Sequence, residues 1–209
     1  MSVSTYNGYF PENEAGNVSD TTDGIRQRLL DTTKAIYTDA PMTGVTMEEV
    51  AKATGVGRAT LYRYFKNRDD LLLAVIEREA VLIAGRVEKK ISKIDSPGEY
   101  IIEGMVQAMD EINKSALLSS ILQPGNGAVV NRLLFESDRL VNIGLEIMLP
   151  VVQRAQQTGK LKTNMSFELL VEWILRILTS LVTVPSKQLN SKRAVRDMLY
   201  ATMLPVLEG

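Results

Sequence analysis

The 209-residue chain contains neither cysteine nor histidine. Without cysteine there is no disulfide, no thiolate zinc site and no sulfur nucleophile; without histidine there is no imidazole base, imidazole metal ligand or imidazole pH switch. Carboxylate, Lys, Tyr and Ser chemistry stays open, as does oxygen coordination of Mg or Ca. Uninterrupted apolar runs are also missing. The richest stretch, Trp173 to Val184, is broken by Arg176, Thr179, Ser180 and Thr183, well short of the roughly 18 residues a membrane span needs. The first 20 residues lack Lys and Arg, and carry Glu12, Glu14 and Asp20 among Ser, Asn, Gly and Pro. That excludes the basic start of a secretory signal and an Arg-rich transit peptide, and predicts a flexible arm over residues 1–20 of a cytoplasmic protein.

What is present, 45% hydrophobic and 23% charged residues, suits a soluble globular chain long enough to bury a core unaided. Net charge is −1, yet its distribution is uneven. Lys52, Arg58, Arg63, Lys66 and Arg68 fall between residues 51 and 68 with no acid among them. A local basic patch of this kind is what nucleic-acid recognition requires, although a solvated helix face could carry it equally.

Helical signals run the length of the chain. Asp20 and Asp23 can cap a first helix with Ile25, Leu29, Thr33, Ile36 and Tyr37 at helical spacing, stopped by Pro41. Thr46-Met47-Glu48-Glu49 is a capping box, placing Thr46 at the start of a short second helix that ends at Gly55. A third helix begins after Gly57. Asn67 with Asp70 at N3 caps a fourth, with Leu71, Leu72, Val75, Ile76, Leu82 and Ile83 as its apolar positions. Three short helices joined by tight turns, basic on the third and its exit, predict a helix-turn-helix. Ala51 and Gly55 permit the close crossing, Gly55 can take positive φ, and Val56 and Leu61 fill the small core. Arg58, Thr60, Tyr62 and Arg63 then face outward.

The remaining segments begin at Pro97, near Leu117, near Ala128, at Ser166 and at Ser191, with Pro124-Gly125, Gly159 and a kink at Pro150 as punctuation. No strand alternation, internal repeat or phosphate loop is present in the sequence, so the fold class predicted is all-α.

The run Gly55-Val56-Gly57-Arg58-Ala59-Thr60-Leu61-Tyr62-Arg63-Tyr64-Phe65-Lys66-Asn67-Arg68-Asp69-Asp70-Leu71 resembles the signature of the TetR family of bacterial transcriptional regulators, and the likeness extends from about Thr22 to Leu72. Thr60, Leu61, Tyr62 and Phe65 match the usual residue types; Tyr64, Arg68, Gly57 and Pro41 stand where His, Lys, Ser and Gly are common. The resemblance implies an all-α homodimer, with a helix-turn-helix DNA-binding domain over 21–68 and an effector-binding and dimerisation domain over 69–209. It places Thr60, Tyr62 and Tyr64 at the DNA and Arg68 beside phosphate. Arg58 can bond guanine bidentately, whereas Lys66 and Arg68 lie past the helix and suit phosphate. The full candidate DNA-binding set is Thr46, Arg58, Ala59, Thr60, Tyr62, Arg63, Tyr64, Lys66 and Arg68.

Beyond residue 69 the sequence speaks through patterning. The helix from Phe167 is apolar nearly all round, so it needs burial on two sides. A second copy supplies one of them. This predicts a dimer interface of Phe167, Leu170, Ile174, Leu178, Leu181, Val195, Met198 and Leu199. Met105, Met109, Leu117, Leu118, Ile121, Leu134, Phe135, Met148 and Trp173 offer adaptable walls for a small hydrophobic or amphipathic effector, or serve as ordinary core. Arg176 either meets an anionic head group or pairs with Glu172 one turn earlier.

The function expected is a repressor released from a pseudo-palindromic operator on double-stranded DNA by that effector. It would be no enzyme, with no cofactor, metal or membrane partner. The alternatives are a helical enzyme using Glu103, Asp110, Glu111, Glu136 or Asp138 with Lys or Tyr, and a pure dimerisation scaffold.

Overall fold

The computed structural model describes residues 22–39, 45–123, 126, 130, 139–158 and 164–208. Regular structure among them is entirely helical. The expected arm over 1–20, the Asp20 cap, the stops at Pro41, Pro124-Gly125 and Gly159, and the pocket candidates Leu134 and Phe135 lie outside the described residues.

The amino-terminal helices are α1 (Thr22–Asp39), α2 (Met47–Thr54) and α3 (Arg58–Tyr64). Both halves of the capping box form at α2: the Thr46 hydroxyl accepts the Glu49 N–H at 3.2 Å, and Glu49 accepts the Thr46 N–H at 2.8 Å. The Thr46 N–H first, and then the Thr46 hydroxyl, which also donates to this carboxylate at 3.0 Å, hold the Glu49 carboxyl below its ordinary pKa. Gly55 closes α2 at φ 73°, the left-handed region where a side chain would be strained, and so turns the chain directly into α3. Leu29, Leu30, Tyr37, Val50, Ala51, Leu61 and Phe65 close over one another as the core of these helices.

The long α4 (Arg68–Ile91) starts on Asn67, whose side chain accepts the Asp70 N–H at 2.8 Å. Its first turns, Leu71 to Ile76, complete the amino-terminal core, while Ile83, Val87 and Ile91 continue the same apolar cluster toward the rest of the chain. Leu82, expected on that face, is exposed because it lies on the far side of the helix.

Next come α5 (Pro97–Lys114), capped by Ser96, and the short α6 (Ala116–Ile121). Then follow α7 (Arg139–Thr158), helical through residue 150, α8 (Phe167–Thr183), capped by Ser166, and α9 (Lys192–Glu208). α9 packs along α5, α7 along α8, and α4 against α5.

A second cluster joins Ile102, Met105, Val106 and Met109 of α5 to Leu170 and Ile174 of α8 and to Val195, Leu199, Met203 and Leu207 of α9. This corrects the interface expected from sequence: Leu170, Ile174, Val195 and Leu199 are buried inside the chain's own core. The apolar surplus on α8 is absorbed by α7 and α5. Phe167, Leu178, Leu181 and Met198 stay half-buried.

Candidate DNA-binding surface and internal cavity

The tight α2-α3 turn presents α3 on the outside of the amino-terminal unit. Leu61 points inward with no exposure, and the residues between its turns point out. Arg58, Ala59, Tyr62, Arg63 and Lys66 are exposed, and Thr60 is half-buried. Arg58 Nη2 lies 2.7 Å from Glu48 Oε1 of α2, with both side chains more than half exposed, and its guanidinium sits 5.7 Å from the Tyr62 ring centre. An ion pair so open to water is worth little, about 1 kcal/mol at most, so Arg58 can exchange Glu48 for another acceptor at small cost. The Arg63 guanidinium lies 5.4 Å from the Tyr64 ring centre.

One candidate departs from the expected surface. Tyr64 packs its ring against the core and buries its hydroxyl with no hydrogen-bond partner among the described residues, because it sits one turn from Leu61 on the inner side of α3. Thr46 is exposed, but its hydroxyl is engaged with Glu49 in the cap. Past the helix, the Lys66 N–H donates to Asp70 at 3.0 Å, and Arg68 Nε stands 3.9 Å from Asp69, a loose contact.

The other feature is a cavity of about 270 Å³ between α4, α5, α7 and α8. Ile83, Val87 and Ile91 of α4, Ile101, Met105 and Ala108 of α5, Ile143, Ile147 and Met148 of α7, and Ile174, Leu175, Leu178 and Val182 of α8 make an aliphatic wall. Leu118 and Ile121 close it from α6. Of the residues predicted from sequence, Met105, Leu118, Ile121 and Met148 line it. Met109, Leu117 and Trp173 stand outside, packed into the two apolar clusters. Arg176 is also outside, over half exposed and bonded to Glu172 at 2.5 and 2.8 Å, as its i,i+4 spacing allows.

The profile of bacterial regulatory proteins of the tetR family matches residues 29–75, which span α1 to the start of α4. An uncharacterized HTH-type transcriptional regulator of Mycobacterium tuberculosis is 24% identical over 186 residues, covering 89% of this chain and 87% of its own. The transcriptional repressor QsdR of R. erythropolis, itself of the TetR family, superposes with a TM-score of 0.64 at 26% identity, covering 90% of this chain and 98% of its own. RolR in complex with resorcinol gives a TM-score of 0.65 at 16% identity over 88% of each chain, a likeness of fold. The match assigns residues 29–75 to the amino-terminal domain of the TetR family. Family and fold together support a DNA-binding transcriptional regulator.

The described carboxylates weighed for catalysis, Glu103, Asp110 and Glu111, are committed to cations. Arg196 grips Glu103 with two bonds, at 2.6 and 2.9 Å, and these hold the Glu103 carboxyl below its ordinary pKa. Glu111 is held down likewise by Lys90 and Arg86, and Asp110 by Lys114. Glu136 and Asp138 lie outside the described residues. Among the described residues no cluster of three acidic side chains could hold a metal ion, and no helix is long and apolar enough to cross a membrane.

Sequence reasoning passed over Glu88 and Tyr100, and over Glu48 as the partner of Arg58. A signal existed for Glu88: it interrupts the Ala84, Val87, Ile91 stripe of α4 at i,i+3,i+4 spacing and so had to face whatever that stripe faces.

Proposed function

We propose that the protein is a homodimeric repressor that binds a pseudo-palindromic operator through α3 and leaves it when a small apolar effector enters the internal cavity. One observation carries this reading: α4 completes the core under α3 with its first turns and walls the cavity with its last, so a shift of α4 is felt at both places. Arg58 would read bases, while Lys66 and Arg68 would hold phosphate.

The dimer reading rests on what α8 and α9 leave uncovered. Leu169 of α8 is 52% exposed and Val184, the residue that caps its end, 61%, with half-buried Trp173 and Ile177 one and two turns on from Leu169. On α9, Ala194, Met198, Ala201 and Pro205 recur every three or four residues opposite the buried Val195, Leu199 and Met203. Two copies joined there would carry two α3 helices about 34 to 36 Å apart, or at a multiple of one DNA turn. In this reading residues 21–68 serve DNA and 69–209 serve effector and partner.

Selection of bound duplexes from a genomic pool tests the proposal. A two-fold related site, protected by a dimer and released by a cavity-binding compound, is the expected result; protection of a single asymmetric half-site contradicts the geometry. Bound sites that the compound tightens would identify an activator or corepressor-dependent protein instead.

A further inference from the structure

We infer that the cavity takes an uncharged, mainly aliphatic molecule that carries a hydroxyl-type donor, read by the carboxylate of Glu88. The inference rests on the effector reading above and adds the chemistry of the ligand. Glu88 is the only charged residue in the described wall. Its carboxylate accepts a hydrogen bond from the Tyr100 hydroxyl, and both residues line the cavity. One such bond uses part of a carboxylate's capacity, which extends to about four acceptor positions. A ligand donor can therefore share Glu88 with Tyr100.

The wall also determines what is refused. A carboxylate or phosphate would enter an aliphatic cavity with no described cation to meet it, beside a fixed negative charge. In the described wall a cationic head would find one carboxylate and one aromatic ring, Tyr100, and that ring's hydroxyl already bonds the carboxylate. A neutral hydroxyl avoids the desolvation cost of a charged head and donates to the acceptor capacity left on Glu88. The volume, about 270 Å³, suits a small-molecule ligand.

Calorimetric titration of the full chain with octan-1-ol, octanoate and octylammonium tests this. Octan-1-ol is expected to bind, with octanoate and octylammonium at least tenfold weaker. Glu88→Gln should narrow the alcohol-to-octanoate ratio to under threefold, and Tyr100→Phe, which keeps the ring, should weaken octan-1-ol severalfold. Ala108→Leu, which fills the cavity from α5, should abolish binding of all three. Octanoate or octylammonium matching the alcohol overturns the donor assignment. So does an unchanged ratio in a Glu88→Gln protein that melts normally; if that variant does not fold, an unchanged alcohol affinity in Tyr100→Phe does the same. In these cases loss of binding in Ala108→Leu keeps the cavity as the ligand site. If none of the three probes binds the wild-type chain, the effector reading falls and this assignment with it.

Discussion

Arg139, the first residue of α7, holds Asp70 in the first turn of α4 at 2.7 Å, and the same guanidinium reaches Glu77 one helical stretch further on, at 2.5 and 2.6 Å. Asp70 in turn receives the Lys66 N–H and donates its own N–H to Asn67. One side chain thus ties the helix that carries Ile143, Ile147 and Met148 of the cavity to the segment that leaves α3. Burial lowers the affinity of Arg139 for its proton, and Glu77 and Asp70 together more than offset this.

Arg139→Met should leave two carboxylates without their cation. The expected loss is about 1.5 to 3 kcal/mol of unfolding free energy, read by urea denaturation. If the tie also conveys cavity occupancy, the variant's operator affinity should respond less to ligand, by about 0.5 to 2 kcal/mol, than that of the wild type.

Arg58→Ala should weaken the preferred operator by about 1 to 3 kcal/mol and flatten base preference at one position of each half-site. Glu48→Gln should act in the opposite direction, modestly tightening binding to all duplexes, since it removes the negative charge beside Arg58. Gel shifts on single-base operator variants separate the two effects.

Arg68 carries a cation at the first turn of α4, against the helix dipole, with Asp69 only loosely placed at 3.9 Å. Arg68→Ala should weaken cognate and scrambled duplexes alike. It should also lower the slope of log affinity against log salt by about 0.9 per affected subunit. An unchanged slope would assign Arg68 to its acidic neighbours instead.

Leu169→Glu puts charge on the exposed side of α8 and Val184→Glu on its exposed C-cap, without entering the protomer core. Together they should weaken the dimer at least tenfold, about 1.4 kcal/mol, as measured by sedimentation, with little change in melting of the monomeric unit.

The local grammar of this chain was open to reading, because a cap needs only four neighbouring residues. Thr46 with Glu49, Asn67 with Asp70, Ser96 before Pro97 and Ser166 each begin the helix their spacing predicts. The outward residues of α3 followed from periodicity alone. What stayed hidden depends on contacts far apart in sequence. A helix apolar all round, such as Phe167–Thr183, does not say which side α5 takes, so Leu170 and Ile174 were assigned outward when they face in. Likewise Tyr64 looks polar in sequence, but the turn of α3 carries its hydroxyl into the core. The cavity owes its polar end to Glu88 and Tyr100, twelve residues apart on different helices, a meeting that only tertiary packing creates.

The Glu103–Arg196 pair makes stability depend on acid. Its hydrogen bonds hold the folded carboxyl below the ordinary value of 4.5, so its contribution is complete above that value and disappears as pH falls through the lower, folded one. At pH 7 the wild type should exceed Glu103→Gln by about 1 to 2 kcal/mol, and the gap should close on acidification below pH 4.5. Denaturant midpoints measured across that range provide the check.

Because α4 is one uninterrupted helix from Arg68 to Ile91, the angle between α3 and the cavity is fixed by residue count. Each residue inserted between Ile76 and Ile83 would turn one about the other by about 100° and part them by about 1.5 Å, whereas seven inserted residues would nearly restore the angle, to within about 20°. Hybrid regulators that graft another helix-turn-helix onto this cavity therefore have to be spliced in helical phase. A junction chosen by sequence alignment that is out by a single position would aim α3 away from the groove while leaving both halves folded.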